Sequence, residues 1–431
     1  MALILFDIVP EKGHIHATLK MATLLKQAGH RVTYALPMEY WADTVKHGFE
    51  TASEAPVPIL SKSDFAHKGK ELEELEKYLR INQPDLVMLD EQNSYKAIYY
   101  QILKIKVIFF ISKPDTLKIE RIPPFTSYYH PRPGVISDLW VKMLWAKRIM
   151  KVKLELIRIK IQSGKSDRYA TCKAIAKQNG INFDELFEPQ RSFGYGIKGI
   201  PRLIISPKAF DFPHEEKDRV HRLGPLVNIQ REGKIEHPRY EALLQRINQL
   251  RQVKIGFIIY ASMGTVSRYD LKRCTRFFLA MVKVAKANPN DLFVLSTGKY
   301  FDVNLLLPRP ANLLVFESVP QVDLLQKCDI MITHGGMNSI TECVFCGVPM
   351  LVFPLSRNWD QPGNSARAVY HGLGLRGRIE RDSARTISCK LNKLKQGYNH
   401  FKQNVLALSG KFEEQNNSTE VVRIIESYLI K

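Results

Sequence analysis

Cysteine is scarce, with six in 431 residues, at positions 172, 274, 328, 343, 346 and 389. Only Cys343 and Cys346 have CxxC spacing, and no second pair or histidine set accompanies them, which argues against a zinc site. Reduced, buried thiols acting as small apolar side chains are expected, in keeping with a cytoplasmic chain. Long apolar runs are missing too: no stretch reaches the roughly 18–20 uninterrupted apolar residues that cross a bilayer. The opening run Met1–Pro10 has no basic leader and is broken by Asp7, with Glu11 following. It is therefore predicted to be a buried strand and not a signal peptide. Neither a zinc-finger spacing nor an aromatic RNP pattern occurs, so no nucleic-acid partner is expected.

What is present is an ordinary globular balance, 45% apolar and 25% charged. At 431 residues the chain is too long for one core, and two domains are expected. Lys and Arg number 63 against 43 acidic residues, a formal charge of +20. Such a surplus draws polyanions, whether phosphorylated substrates or an anionic membrane face, and does not choose between them.

Short apolar strands alternate with helical stretches. Leu3–Val9 is a strand, followed by a turn at Gly13 and a helix over about 17–27, with Gly29 at its C-terminal end. Arg31–Leu36, Asp85–Leu89 and Val107–Ile111 continue the series. The pattern restarts with a strand at 255–261, the turn Ser262-Met263-Gly264-Thr265 and a helix at Leu271–Ala287. Further strands are read at Leu292–Ser296, Leu313–Phe316, Ile330–Thr333 and Met350–Phe353. The fold class is α/β: two doubly wound Rossmann-like domains facing across a cleft. The predicted boundaries are 1–225 for the first domain, 226–250 for a linker and 251–405 for the second. A helix at 406–431 is predicted to cross back to the first.

Ligands of open parallel sheets bind beyond the carboxyl ends of the strands, and the chemistry-bearing residues fall there. Gly13-His14 follows the first strand; an imidazole in that turn suits removal of a hydroxyl proton near neutral pH. Asp90 ends the strand 85–89 of the same domain, where a carboxylate would fix the imidazole tautomer. No GxSxG nucleophile motif accompanies them, so a His-Asp dyad acting on an acceptor hydroxyl fits better than a hydrolase. His16 is the rival base. The segment His334-Gly335-Gly336-Met337-Asn338-Ser339 follows the strand 330–333 and opens a helix, whose free N–H groups suit phosphate. Glu342, one turn on, suits ribose hydroxyls. Asp360-Gln361, beyond the strand at Met350–Phe353, is suited to sugar hydroxyls.

Taken together, these segments resemble the family-1 nucleotide-sugar glycosyltransferases of the GT-B fold, the group that includes the UGTs and the macrolide and carotenoid glycosyltransferases. The resemblance runs through Gly13-His14, Ala28–Thr33, Pro84–Asp90, Leu223–Leu226 and Ser262–Thr265. Its most specific part extends from Val319-Pro320-Gln321 through Thr333–Ser339 and Glu342 to Asp360-Gln361. It implies an inverting hexosyl transfer with His14 as base and Asp90 as its partner. It also implies a donor site of Gly13, Gly264, Thr265, Val319, Gln321, His334, Gly336, Met337, Asn338, Ser339, Glu342, Asp360 and Gln361. In that site Val319–Gln321 hold the base, His334 and Gly336–Ser339 the diphosphate, Glu342 the ribose and Asp360-Gln361 the sugar. No cofactor and no metal are implied, and no Asp-x-Asp pair occurs. The donor is a UDP-sugar or a TDP-sugar. Ser318 stands where many relatives carry tryptophan, and the loop before Asp360 is longer by about two residues, which brings Arg357 and Trp359 under consideration for the sugar pocket.

The acceptor is expected on the first domain, with Phe125, Tyr128, Trp140 and Leu144 as its candidate contacts. It is expected to be small and apolar, such as a carotenoid, polyketide or polyphenol. The basic stretch around Lys142, Lys147 and Lys151 is read either as an amphipathic helix near an anionic membrane, giving peripheral contact with the inner face, or as a core-packed helix with a solvated basic face. Two other functions use the same plan: a nucleotide-sugar epimerase, which needs no acceptor cavity, and a non-catalytic auxiliary protein of a partner transferase.

Overall fold

The structure is a computed structural model. It describes residues 1–55, 68–163, 173, 175–186, 197–216, 219–226, 238–253, 256–416 and 418–430. Two parallel sheets organise it. The first contains β1 (Leu3–Asp7), β2 (Arg31–Ala35), β3 (Glu50–Ala52), β4 (Leu86–Asp90), β5 (Val107–Ile111), β6 (Arg202–Ile204) and β7 (Val220–Arg222). Its strand order is β3-β2-β1-β4-β5-β6-β7. The second contains β8 (Ile258–Ser262), β9 (Leu292–Ser296), β10 (Leu313–Phe316), β11 (Ile330–Thr333), β12 (Met350–Val352) and β13 (Gly374–Arg376), in the order β10-β9-β8-β11-β12-β13.

Helices cover both faces of each sheet, so the strands are apolar on both sides. In β4, Leu86 and Met88 enter one core while Val87 and Leu89 enter the other. In β8, Ile258 and Tyr260 alternate in the same way with Ile259 and Ala261. Each sheet reverses its winding once, between β1 and β4 in the first and between β8 and β11 in the second. Loops diverge at such a point and leave a crevice, which is where doubly wound sheets hold ligands.

Three elements depart from the sequence reading. The first helix spans Lys12–Gln27, beginning five residues early, so Gly13 and His14 lie in its first turn. Glycine's poor helix propensity hides that start. Residues 227–237 of the predicted linker lie outside the described residues, as does the start of the predicted strand at 255. The rest of the linker is a helix, Pro238–Val253, whose Tyr240, Leu243 and Ile247 pack into the core of the second domain. Its proline sits at the first helical position, where no hydrogen bond is lost. The C-terminal segment is two helices. Tyr398–Gln415 stays on the second domain, with Val405, Leu408 and Phe412 in its core. Ser418–Ile430 lies on the first, where Val421 and Ile425 join the core and Glu426 meets His30 at 3.0 Å.

Candidate active site

Loops following β1, β4, β5, β8, β10, β11 and β12 line one cavity of about 460 Å³. His14 enters from the first turn of its helix and Asp90 from the end of β4. Their side chains meet at 2.6 Å, His14 Nδ1 to Asp90 Oδ2. With Nδ1–H donated to the carboxylate, Nε2 keeps its lone pair, and it accepts a hydrogen bond from Gln92 Nε2 at 2.9 Å. The Gln92 backbone N–H in turn donates to Asp90 Oδ1 at 3.0 Å. Burial works against charge on Asp90, yet His14, Lys113 and the Gln92 N–H hold its carboxyl below the usual range. The dyad therefore sets an anionic carboxylate against the His14 imidazole.

Opposite stands His334, immediately after β11. Its ring is wedged between two glycines. A Cβ on Gly264 would lie 2.4 Å from His334 Cε1, and one on Gly336 would lie 2.5 Å from Nε2. Gly264 also has a φ of +66°, in the left-handed region that other residues avoid. Both positions therefore require glycine for the imidazole to fit. His334 Nδ1 is buried without a hydrogen-bond partner. Burial pushes the ring's pKa down to about 4, so the folded protein holds it neutral.

That shift has a measurable consequence. The folded-state value lies below the unfolded one, near 6.5, so below that pH the unfolded chain takes up a proton that the folded chain refuses. His334 costs no stability above about pH 7, and its penalty grows as pH falls toward 4, reaching about 2 kcal/mol at pH 5. Urea titrations at pH 7 and pH 5 should show wild type losing about that much more than His334→Asn. Equal losses in the two proteins would contradict a buried neutral ring.

The helix Met337–Phe345 starts next to His334 and points its N-terminus at the cavity. Along it, Glu342 accepts from Gln321 Nε2 at 2.5 Å, and Ser339 Oγ accepts from the same nitrogen at 3.4 Å. Gly13, Thr265, Met337 and Asn338 also line the cavity. Asn338 is already engaged: its amide donates to the Gly13 carbonyl at 2.8 Å, tying the two domains together. Asp360 lies at the cavity wall, its carboxyl raised by burial against the pull of Lys113 and the Asn364 amide. Gln361 lines it as well, but its Oε1 accepts from the Leu355 and Ser356 backbones at 2.8 and 2.9 Å. The carbonyl thus shapes the loop and leaves the amide group for the cavity.

Four sequence candidates lie elsewhere. Val319 does not line the cavity; its side chain packs against the core of the second domain. Of the acceptor candidates only Phe125 reaches the cavity. Tyr128 lies beneath the Arg376 guanidinium, 5.1 Å from ring centroid to cation. Trp140 sits against Tyr129 on the outer surface, and Leu144 is half-buried on the same helix. Aromatic composition placed them together, but the loop turns only Phe125 inward. The two loop residues also divide: Trp359 lines the cavity edge-on to Tyr269, while Arg357 turns out to Glu380 at 3.2 Å.

Gln92 and Lys113 were missed by the sequence reading. Each follows a strand of the first sheet at its carboxyl end, which is the signal that would have found them. Lys113 is buried beside Phe125, and burial lowers its ammonium against the fields of Glu91, Asp90 and Asp360. At the cavity mouth Glu11 accepts from Arg268 Nη2 at 2.5 Å and from the Tyr269 hydroxyl, a second bridge between the domains. Among the described residues, no three His, Cys, Asp or Glu side chains converge as metal ligands.

Comparison with known proteins agrees with this architecture. The sequence pattern of the family described as "UDP-glucoronosyl and UDP-glucosyl transferase" matches residues 305–417. The chain is similar to the NDP-glycosyltransferase YjiC of Bacillus subtilis, 25% identical over 389 residues that cover 85% of this chain and 82% of that one. It is 34% identical to the zeaxanthin glucosyltransferase of Pantoea ananas over 222 residues, 43% of this chain and 50% of the relative. Among solved structures, the glycosyltransferase of kitacinnamycin superposes with a TM-score of 0.70 at 21% identity, covering 99% and 98% of the two chains. The two facing sheets and their shared cavity thus form a GT-B glycosyltransferase fold. Within that class, residues 305–417 carry the UDP-glucoronosyl and UDP-glucosyl transferase pattern, and most of the chain is similar to a nucleotide-sugar glycosyltransferase.

Proposed function

We propose that the protein is an inverting, metal-independent hexosyltransferase that uses a UDP-sugar, with a TDP-sugar as the other donor. Its acceptor is a hydroxyl of a small apolar molecule such as a carotenoid, polyketide or polyphenol. The observation that carries the reading is the His14–Asp90 contact at 2.6 Å, set across one cavity from His334 and the helix N-terminus at Met337.

In this reading the acceptor hydroxyl displaces the Gln92 amide from His14 Nε2 and gives that nitrogen its proton. The freed oxygen attacks the anomeric carbon from the face opposite the diphosphate. As the new C–O bond forms, the old one breaks and its electron pair passes to the leaving phosphate. Asp90 stabilises the imidazolium. The helix N-terminus and the unpartnered His334 Nδ1 meet the charge on the diphosphate, a task that other enzymes give to a metal. Gln321 and Glu342 receive the ribose and Asp360 with Gln361 the sugar. The base lies along Val319–Gln321, contacted by backbone rather than by the Val319 side chain. The name of the zeaxanthin enzyme supports an apolar acceptor.

A thermal-shift titration with UDP, TDP, GDP and ADP, free of added metal, tests the donor half. UDP or TDP should stabilise saturably, by about 2.7 kcal/mol at a hundredfold excess over Kd. Transfer to a polyphenol with the matching sugar nucleotide should then give the inverted anomer by NMR. A flat response to all four nucleotides, retention at the anomeric carbon, or transfer that depends on a divalent cation would each defeat the proposal.

A further inference from the structure

The helix Val135–Ser163 is 29 residues long, about 43 Å at 1.5 Å per residue, and projects one apolar face into solvent. Ile136, Leu139, Met143, Met150, Leu154 and Ile161 are each between 48% and 88% exposed. At 100° per residue these six fall within an arc of about 60°. The opposite side is the one that packs: Val141 and Trp145 are buried, and Trp145 Nε1 donates to the Ile122 carbonyl at 2.7 Å. The helix is thus core-packed on one side, as one of the two alternatives held, but apolar residues occupy the centre of its outward face.

The charges lie along the margins of this stripe. Lys142 and Lys153 project on one side, and Lys147, Lys151 and Arg158 on the other, by the same helical count. The sequence of the helix holds seven basic residues and two acidic ones, in a chain of net charge +20. A continuous exposed apolar stripe is costly in water unless something covers it. A stripe bordered by cations fits a surface with hydrocarbon beneath anionic headgroups. Among the described residues no helix is long and apolar enough to cross a membrane, so the helix would lie on the surface.

We infer that this helix docks the enzyme on an anionic lipid surface, its apolar stripe reaching below the headgroups and its lysines pairing with phosphates. The location gives the docking a use. Trp145 holds the loop beginning at Ile122, and three residues on, Phe125 lines the cavity. On the proposed transferase reading, a membrane-dissolved acceptor would thus have a short path from the lipid to His14.

The test is cosedimentation of the full chain with vesicles of phosphatidylcholine alone or of an equal mixture with phosphatidylglycerol. Binding should appear on the mixed vesicles and be released by salt. The pair Lys142→Ala/Lys153→Ala should lower partitioning about 30-fold, at about fivefold per charge. The triple variant Met150→Ser/Leu154→Ser/Ile161→Ser should lose binding while keeping the wild-type melting curve. No binding at low salt, or binding unchanged in both variants, would overturn the inference. So would a concentration-dependent dimer, absent in the triple variant, because it would assign the face to a second copy. The assay needs neither donor nor acceptor, so its failure is distinct from failure of the nucleotide titration.

Discussion

On the proposed mechanism, His14→Ala should lower kcat by about 10³-fold or more while leaving the affinity for UDP as it is in wild type. Both halves of the expectation come from the geometry. The imidazole is the group that Asp90 orients into the cavity, at 2.6 Å through Nδ1, and its other nitrogen faces the space an acceptor would occupy. Without it the acceptor hydroxyl must be attacked by solvent base or react unactivated, losing the general-base contribution. The donor groups of the proposed mechanism, by contrast, stand on the second domain around His334, Gln321 and Glu342, and alanine at position 14 should not disturb them. Steady-state kinetics at saturating acceptor, paired with a UDP thermal-shift titration, separates the two effects. Near-normal turnover in the variant would place the base elsewhere, with His16 the first alternative. Loss of UDP affinity together with kcat would point to damage across the cleft.

The second large effect is on stability. Arg367 lies in the helix Gln361–Tyr370 of the second domain and donates through Nε and Nη2 to Asp211 Oδ1 of the first, at 2.8 and 2.6 Å. Arg222 holds the other carboxylate oxygen at 2.8 Å, and the Arg367 guanidinium also lies 4.6 Å from the Phe212 ring centroid. Burial would raise the Asp211 carboxyl, but the two guanidiniums hold it well below the usual carboxylate range. Removing one cation from so buried a group leaves charge without compensation, at a cost of about 3–5 kcal/mol. Arg367→Leu should therefore unfold at markedly lower urea than wild type. Arg423→Leu, which breaks an exposed pair with Glu420, should unfold at nearly the same urea concentration as wild type. Equal effects from the two substitutions would mean that Asp211 finds another partner or takes up a proton.

Legibility in the sequence followed how locally each feature is encoded. β5, β9, β10 and β11 are uninterrupted apolar runs bounded by turn residues, and their limits could be read directly. The short edge strands β3, β7 and β13 have three residues each and no apolar run to announce them. The helix Pro238–Val253 was hidden because its proline and polar residues read as a linker, although Tyr240, Leu243, Leu244, Ile247 and Leu250 keep helical spacing. Residues of the candidate site that follow strands could be found from position alone, His14, Asp90 and His334 among them. What could not be read was the direction of side chains on loops. Tyr128 and Phe125 are three residues apart, and only the tertiary structure decides that one stacks under Arg376 and the other faces the cavity. Pairings across the domains, such as Asn338 with Gly13 or Arg367 with Asp211, join positions more than 150 residues apart and leave no mark in local pattern.

The described segment that ends at Leu226 lies beside the end of the helix Tyr398–Gln415. Gly224 lies so close to Gln415 that a Cβ there would stand 2.5 Å from the Gln415 carbonyl oxygen. A backbone approach this close would resist separation at that edge while leaving rotation about it. The arc of such a rotation is widest at the far rim, where Glu11 meets Arg268 and Lys151 meets Asn358. Opening the molecule about that edge to admit a substrate would have to break these polar contacts together with the bond from Asn338 to Gly13.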